Sequence, residues 1–291
     1  VVNVPDLEIM EEVVDGLQMR MDKLKAGPSN VRMSLVRLPG FTNSTGLSEG
    51  SIRSSGEVVA GAAVVGVPLS AGAGSWNGVN LRQGRVWCYG PGSEHDGVAA
   101  RPPWWAGVTI ERWLFSGSDQ EHLFDGPHLK IIDSSAAAGL ADLVRTADSM
   151  IDRLAGARAA LLRNDVVDAI ATLGDDATAL TTSAAARLVQ RCESLAPDLG
   201  PIPTVRELAA TVGTSDRWVR SAFSQTYGIA PSDYFRARAL ASCRRELEAA
   251  EPGSITVTDV AVRAGFWHLG RFSARYRQVF GESPSQTLAR T

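Results

Sequence analysis

A two-helix pattern is written twice between Thr204 and Ser285, and this repeat leaves few folds open to the C-terminal third of the chain. Val205-x-x-Leu208-Ala209-x-x-x-Gly213 returns as Val257-x-x-Val260-Ala261-x-x-x-Gly265, 52 residues later. Val219-x-x-x-Phe223-x-x-x-Tyr227-Gly228-x-x-Pro231-Ser232 returns as Phe272-x-x-x-Tyr276-x-x-x-Phe280-Gly281-x-x-Pro284-Ser285, 53 residues later. Similarity at a fixed offset marks a repeated supersecondary unit. Thr204 and Thr256 precede each short first helix as N-caps, whose hydroxyls accept from an orphan backbone N–H. Ala209 and Ala261 allow two helices to approach closely. Gly213 and Gly265 end the first helix where the chain takes a positive φ.

The longer second helix of each copy has two faces. In the first copy Val219, Ala222, Phe223 and Tyr227 turn inward and leave Arg217, Arg220 and Ser224 outward. In the second, Leu269, Phe272, Tyr276, Val279 and Phe280 form the apolar stripe. His268, Arg271, Arg275 and Gln278 lie opposite. From Pro201 to Thr291 there are twelve Arg, no Lys and eight Asp or Glu, whereas the whole chain carries −3. A net +4 module on an acidic body expects a polyanionic partner.

With Leu208-Ala209, Gly213, Phe223, Gly228-x-x-Pro231, Arg238, Ala241, Leu247, Val260-Ala261, Gly265-Phe266, Phe272-Ser273, Tyr276 and Phe280-Gly281-x-x-Pro284 in order, residues 201–291 resemble the DNA-binding domain of the AraC/XylS family of transcription regulators. The resemblance implies two helix-turn-helix subdomains joined by a long helix, here about 232–249, with Pro231 suited to its first turn. It implies double-stranded DNA as partner, with the two recognition helices in successive major grooves. It also implies a homodimer; a cytoplasmic location is expected from the scattered, unpaired cysteines, and RNA polymerase is a further candidate partner. The family often has Arg after Ser in each recognition helix. Here those positions hold Ser221 and Ala274, and Arg220 and Arg275 stand one step, about 100°, away. Base-reading residues therefore do not transfer directly. The DNA-binding candidates are Arg217, Trp218, Arg220 and Ser224 in the first unit, and Trp267, His268, Arg271 and Arg275 in the second. Arginine can contact guanine O6 and N7 in bidentate fashion. Trp218 and Trp267 either pack on sugar or thymine methyl groups or cap the small core.

The remaining two thirds have a different texture. Residues 31–132 alternate apolar and polar, as in Val31–Leu38, or run apolar between glycines and prolines, as in Ala62-Ala63-Val64-Val65-Gly66-Val67. Many short strands with glycine turns expect a sandwich or barrel. In this family context that is a cupin-like jelly roll, so the fold class is α+β multidomain, with an all-α double helix-turn-helix at the C-terminus. The order of pieces is similar to that of the ethanolamine-utilisation regulator branch. Five of the seven tryptophans, at 76, 87, 104, 105 and 113, fall within 38 residues. They either line an effector pocket or fill the core, since aromatics serve both. Trp76, Arg85, Trp87, Tyr89, His95 and Trp104 are the pocket candidates, for a small-molecule effector of unstated identity.

Chemistry beyond binding finds little support in the residues. Cys88, Cys192 and Cys243 are scattered, with no zinc spacing. His95, His122 and His128 lack the HxH spacing of a cupin metal site, and no catalytic triad, phosphate loop or dinucleotide fingerprint is present. No cofactor or enzymatic activity is expected. A cupin-like enzyme or a non-specific nucleoid-type binder is the alternative reading. No apolar run approaches the ~20 residues of a membrane span.

The expected organisation is an N-terminal amphipathic helix or arm in 1–30, packed or free, then an effector-sensing β domain at 31–133. A helical region at 134–195 follows, with 139–173 either pairing protomers or packing on its own sheet. A proline-rich linker at 196–203 precedes the DNA-binding domain at 204–291.

Overall fold

The computed structural model describes residues 2–4, 16–25, 31–48, 50–70, 74–99, 104–115, 121–127, 129–133, 135–149, 157–173, 183–251 and 253–290. The chain divides into two compact units. The first holds most of residues 1–181; the second holds 182–291 together with 22–28 and 50–52.

Among the described residues twelve strands come first: β1 (Val2–Val4), β2 (Leu17–Lys23), β3 (Val31–Leu38), β4 (Phe41–Ser48), β5 (Ile52–Val58), β6 (Ala62–Pro68), β7 (Gly74–Trp76), β8 (Val79–Asn80), β9 (Arg85–Tyr89), β10 (Glu94–Ala99), β11 (Trp104–Glu111) and β12 (Leu129–Asp133). They form a seven-stranded sheet, β1-β3-β4-β11-β6-β9-β12, and a five-stranded sheet, β2-β5-β10-β7-β8. Strand β6 shows why its sequence is apolar throughout. It sits inside the larger sheet and every one of its residues is buried. Ala63, Val65 and Val67 join Leu140, Val144 and Ile170 in one core. Ala62 and Val64 join Trp76, Trp87 and Tyr89 in another, between the sheets. Successive side chains point to opposite faces, so a strand covered on both sides reads as a continuous apolar run.

The second layer of the first core is a helical pair, α1 (Ser135–Ser149) and α2 (Ala157–Ala171). Leu140, Val144, Val166 and Ile170 are almost wholly buried with the sheet. Of the two readings of 139–173, packing on its own sheet accounts for this stripe. Leu161 stays 62% exposed.

At the N-terminus the helical expectation fails where it can be checked. Residues 17–23 form strand β2, with Met19 and Met21 buried. Leu17 and Met21, four apart, suit a helix as well as a strand, but Met19 between them fits only a period of two, and pairing in the smaller sheet realises the strand. Residues 5–15 lie outside the described residues.

The second unit contains α3 (Ala184–Leu199), α4 (Val205–Val212), α5 (Asp216–Tyr227), α6 (Pro231–Glu248), α7 (Val257–Arg263), α8 (Leu269–Phe280) and α9 (Pro284–Leu288). Helix α3 runs through Pro197 to a stop at Gly200, whose φ is 97°. Residues 196–199 are therefore helical, and the extended joint is confined to 200–204. The helix continues because Ala186, Val189, Cys192 and Ala196 are buried, and packing outweighs a proline's local penalty.

Candidate nucleic-acid interface and effector cluster

Each half of the second unit is built as its repeat requires. Thr204 and Glu207 close a capping box at the start of α4, and Gly213 ends the helix at φ 71°. Ser215 caps α5, which stops at Gly228 with φ 67°. In the other half Thr256 accepts from the Asp259 N–H, and Gly265 turns the chain at φ 83°. Ala209 and Ala261 are buried, as close helix approach demands.

Helix α6 braces both halves. Near its start, Tyr234 and Phe235 pack edge-on or tilted against Phe223 of α5, with ring centroids 5.6 and 5.8 Å away. Towards its end, Leu240, Cys243 and Leu247 share a core with Val260, Ala261, Phe272 and Tyr276. The Tyr276 hydroxyl lies 2.9 Å from that of Thr287, which is fully buried. Sequence reading missed Glu193. From α3 its carboxylate accepts from the Tyr227 hydroxyl at 3.0 Å and from the Tyr234 hydroxyl, tying α3 to α5 and α6. A carboxylate at one point of a plain amphipathic helix gives no local signal of this.

The outward faces carry most of the expected residues. Arg217, Arg220 and Ser224 are exposed on α5; Trp218 is half-buried beside them. His268 and Arg271 are exposed at the start of α8, and Trp267 is 75% exposed, so it does not cap the core. Among the described residues, Arg217, Arg220 and Arg271 are paired with no carboxylate. Arg275 differs. It is half-buried, its Nε has no partner, and its guanidinium approaches Asp233 of α6 at 3.7 Å. Leu269, expected within the apolar stripe, is 39% exposed.

In the first unit four of the six pocket candidates come together. Trp76 and Trp87 meet edge to face at 5.1 Å, and His95 stands 6.0 Å from Trp76 and 5.6 Å from Tyr89. Small residues make the room: a Cβ on Gly97 would fall 2.4 Å from the Trp76 ring, and one on Gly66 3.0 Å from it. The His95 ring is satisfied on both nitrogens, by the Ser54 hydroxyl at 2.8 Å and the Tyr89 hydroxyl at 3.1 Å. The Asn77 amide nitrogen donates to the Glu94 carbonyl at 2.8 Å, which turns its oxygen to accept from Tyr89 at 2.9 Å. With Tyr89 donating to Asn77, Nδ1–H donates to Tyr89 and Ser54 donates to Nε2, a neutral imidazole. Burial, foremost, pushes His95 down to about 4, with the nearby Arg53 charge acting in the same direction against Asp96. Burial also raises the Tyr89 phenol well above its usual range. Ser54 and Asn77 were not foreseen; only strand pairing brings them to His95.

Arg85 and Trp104 lie elsewhere. Arg85 binds Asp133 at 2.9 Å, its cross-strand partner, and the Asn80 carbonyl at 3.0 Å. Trp104 packs on the helical side of the sheet, with Arg145 6.0 Å from its ring. The described residues also outline an open hollow of about 600 Å³, bounded by Gly16, Arg37, Phe41, Thr42, Thr109 and Glu111 among others. No group of three or more His, Cys, Asp or Glu able to hold a metal occurs among the described residues. No described helix is long and apolar enough to cross a membrane.

Two capped helix-turn-helix units on one bracing helix, each presenting exposed cations from its second helix, define a DNA-binding module. A family model described as a helix-turn-helix domain matches residues 208–290. Over 85 residues the chain is 39% identical to a probable thc operon regulatory protein of Rhodococcus erythropolis. It is 38% identical over 85 residues to the XylDLEGF operon transcriptional activator of Pseudomonas putida. In both cases the match covers 29% of this chain and 26% of the relative, so the chain spans about a quarter of these proteins' length. Among solved structures it is similar to the AraC-like transcriptional activator CuxR, with a TM-score of 0.43 and 13% identity over 79% of this chain and 88% of that one. It is also similar to a probable AraC family transcriptional regulator from Rhodopseudomonas palustris, with a TM-score of 0.32 and 32% identity over 36% of this chain and 96% of that one. Residues 208–290 are thus a helix-turn-helix domain of the AraC/XylS type, shared with these regulators.

Proposed function

We propose that this protein is a sequence-specific transcription regulator whose two recognition helices, α5 and α8, read adjacent major grooves. The observation that carries this reading is the exposure of arginines paired with no carboxylate among the described residues, Arg217 and Arg220 on one helix and Arg271 on the other, within an AraC-type domain. Selection of bound sequences from a random DNA pool with the full chain tests it. Two half-motifs about one helical turn apart are expected. Arg217→Ala and Arg271→Ala should each cost about 1–3 kcal/mol of specific binding and relax preference at one base pair. Uniform weakening on all DNA would instead make them phosphate contacts, and no enriched sequence at low salt would overturn the reading.

The β-rich unit is assigned to effector sensing. The closely packed His95 cluster, with both ring nitrogens of His95 hydrogen-bonded, serves as its frame. The hollow beside Arg37, Thr42, Thr109 and Glu111 has the volume of a small-molecule site. An effector acts only by favouring one arrangement of the protein over another.

A homodimer is part of the same proposal, with the outward side of α2, where Leu161 is exposed, as the candidate contact. Sedimentation should then give twice the chain mass at micromolar concentration, and Leu161→Glu should return it to the monomer. A wild-type monomer would remove the dimer from the proposal. Contact with RNA polymerase belongs to the proposal only through the function it serves.

A further inference from the structure

The two recognition helices present different chemistry. On α5 the exposed residues Asp216, Arg217, Arg220, Ser224 and Gln225 all carry polar side chains able to hydrogen-bond. At the entrance to α8 Trp267 and His268 are exposed, and on the helix itself so are Leu269, Gly270, Arg271 and Ala274. Among the described residues of 183–290, the large apolar side chains left exposed are Val262, Trp267 and Leu269, all within eight residues. Single exposed apolar residues are ordinary, but Trp267 and Leu269 flank the start of a recognition helix, where they can meet what it binds.

Gly270 adds to this. It is helical, with no positive φ to explain it, and a Cβ there would meet nothing within 4 Å. Neither backbone geometry nor packing inside the protein calls for glycine, which is a weaker helix former than alanine. The position is open to close approach from outside the chain.

We propose that α8 reads thymine, with Trp267 and Leu269 packed on C5-methyl groups and the helix backbone brought close to the base edges at Gly270. The major groove offers one apolar group for such contacts, the thymine methyl. Arg271 keeps the base-edge contact proposed above, and His268 adds charge complementarity towards the duplex. The second half-site is thus read by methyl contacts beside one arginine, and the first by hydrogen bonds. This rests on the DNA-reading function proposed above.

The test uses the full chain and its selected operator. The α8 half-site is the one whose preference relaxes in Arg271→Ala. Replacing single thymines there by deoxyuridine, which removes only the methyl, should weaken binding about fourfold at one or two positions. Leu269→Ala or Trp267→Ala should bind more weakly and lose this sensitivity. Gly270→Ala should keep or raise the melting temperature while lowering specific affinity, a combination misfolding does not produce. Deoxyuridine without effect, equal sensitivity in the alanine variants, or undiminished affinity of Gly270→Ala would each overturn the inference and leave sequence-specific binding standing. Absence of specific binding by the wild-type chain would overturn the DNA-reading function and this inference with it.

Discussion

Phe223→Ala should destabilise the DNA-binding unit by about 3–5 kcal/mol, a large share of what such a unit has. Phe223 is fully buried, and its ring meets those of Tyr227, Tyr234 and Phe235 at 5.9, 5.6 and 5.8 Å. Those rings come from α5 and α6, so one truncation opens a cavity between the recognition helix and the helix that braces it. The opposite side of α5 carries Arg217 and Arg220. Their presentation to DNA therefore depends on the packing behind them. Thermal melting, with hydrogen exchange followed in 205–248, measures the loss. Protection should fall throughout α4, α5 and the first half of α6, and specific affinity should fall with it. Phe223→Leu, which keeps most of the volume, should lose markedly less. A loss below about 1 kcal/mol for the alanine variant would mean that this aromatic cluster does not form the centre of the unit.

The β-rich unit should lose stability in mild acid because of one imidazole. His95 is held neutral, its folded-state value near 4 against 6.5 for the free side chain. Between pH 6.5 and about 4 the unfolded chain takes up a proton that the folded chain refuses. Stability is thus present above 6.5 and falls by about 1.4 kcal/mol per unit below it, reaching about 3 kcal/mol once pH is below both values. Protonation also breaks the pattern of donors, since Nε2 can then no longer accept from Ser54. Urea unfolding at intervals from pH 7.5 to 4.5 measures this, with the buried Trp76 and Trp87 as reporters. His95→Gln should start less stable and show a shallower slope through the window. Parallel slopes for the two proteins would place the proton uptake on another group.

Much of this arrangement is legible in the chain, and the reasons are local. Threonine caps, glycines at positive φ and a 3.6-residue stripe are properties of a few adjacent residues, so the repeat at 204–285 announces itself. Strand β6 is legible for a similar reason, because an unbroken apolar run must be covered on both faces. Where two periods fit, sequence is silent: Leu17 and Met21 suit a helix or a strand, and sheet pairing, with Met19 buried between them, chooses the strand. Pro197 signals a break that packing of α3 overrides. Leu269 fits the apolar stripe of α8 by spacing alone, yet it lies at the helix start beyond the reach of the core.

By itself the sequence determined the two helix-turn-helix units, the placement of arginines outward, and the clustering of tryptophans in a β-rich region. All of these follow from short-range periodicity and turn chemistry. Tertiary structure alone decided which of those residues meet. It joined His95 to Ser54, Tyr89 and Asn77 across strands, drew Glu193 onto two tyrosines, and moved Arg85 and Trp104 away from the cluster. It also turned Arg275 towards Asp233 and left Trp267 and Leu269 in water. Such pairings depend on sheet register and helix crossing, which are set by the sum of many contacts distant in the chain.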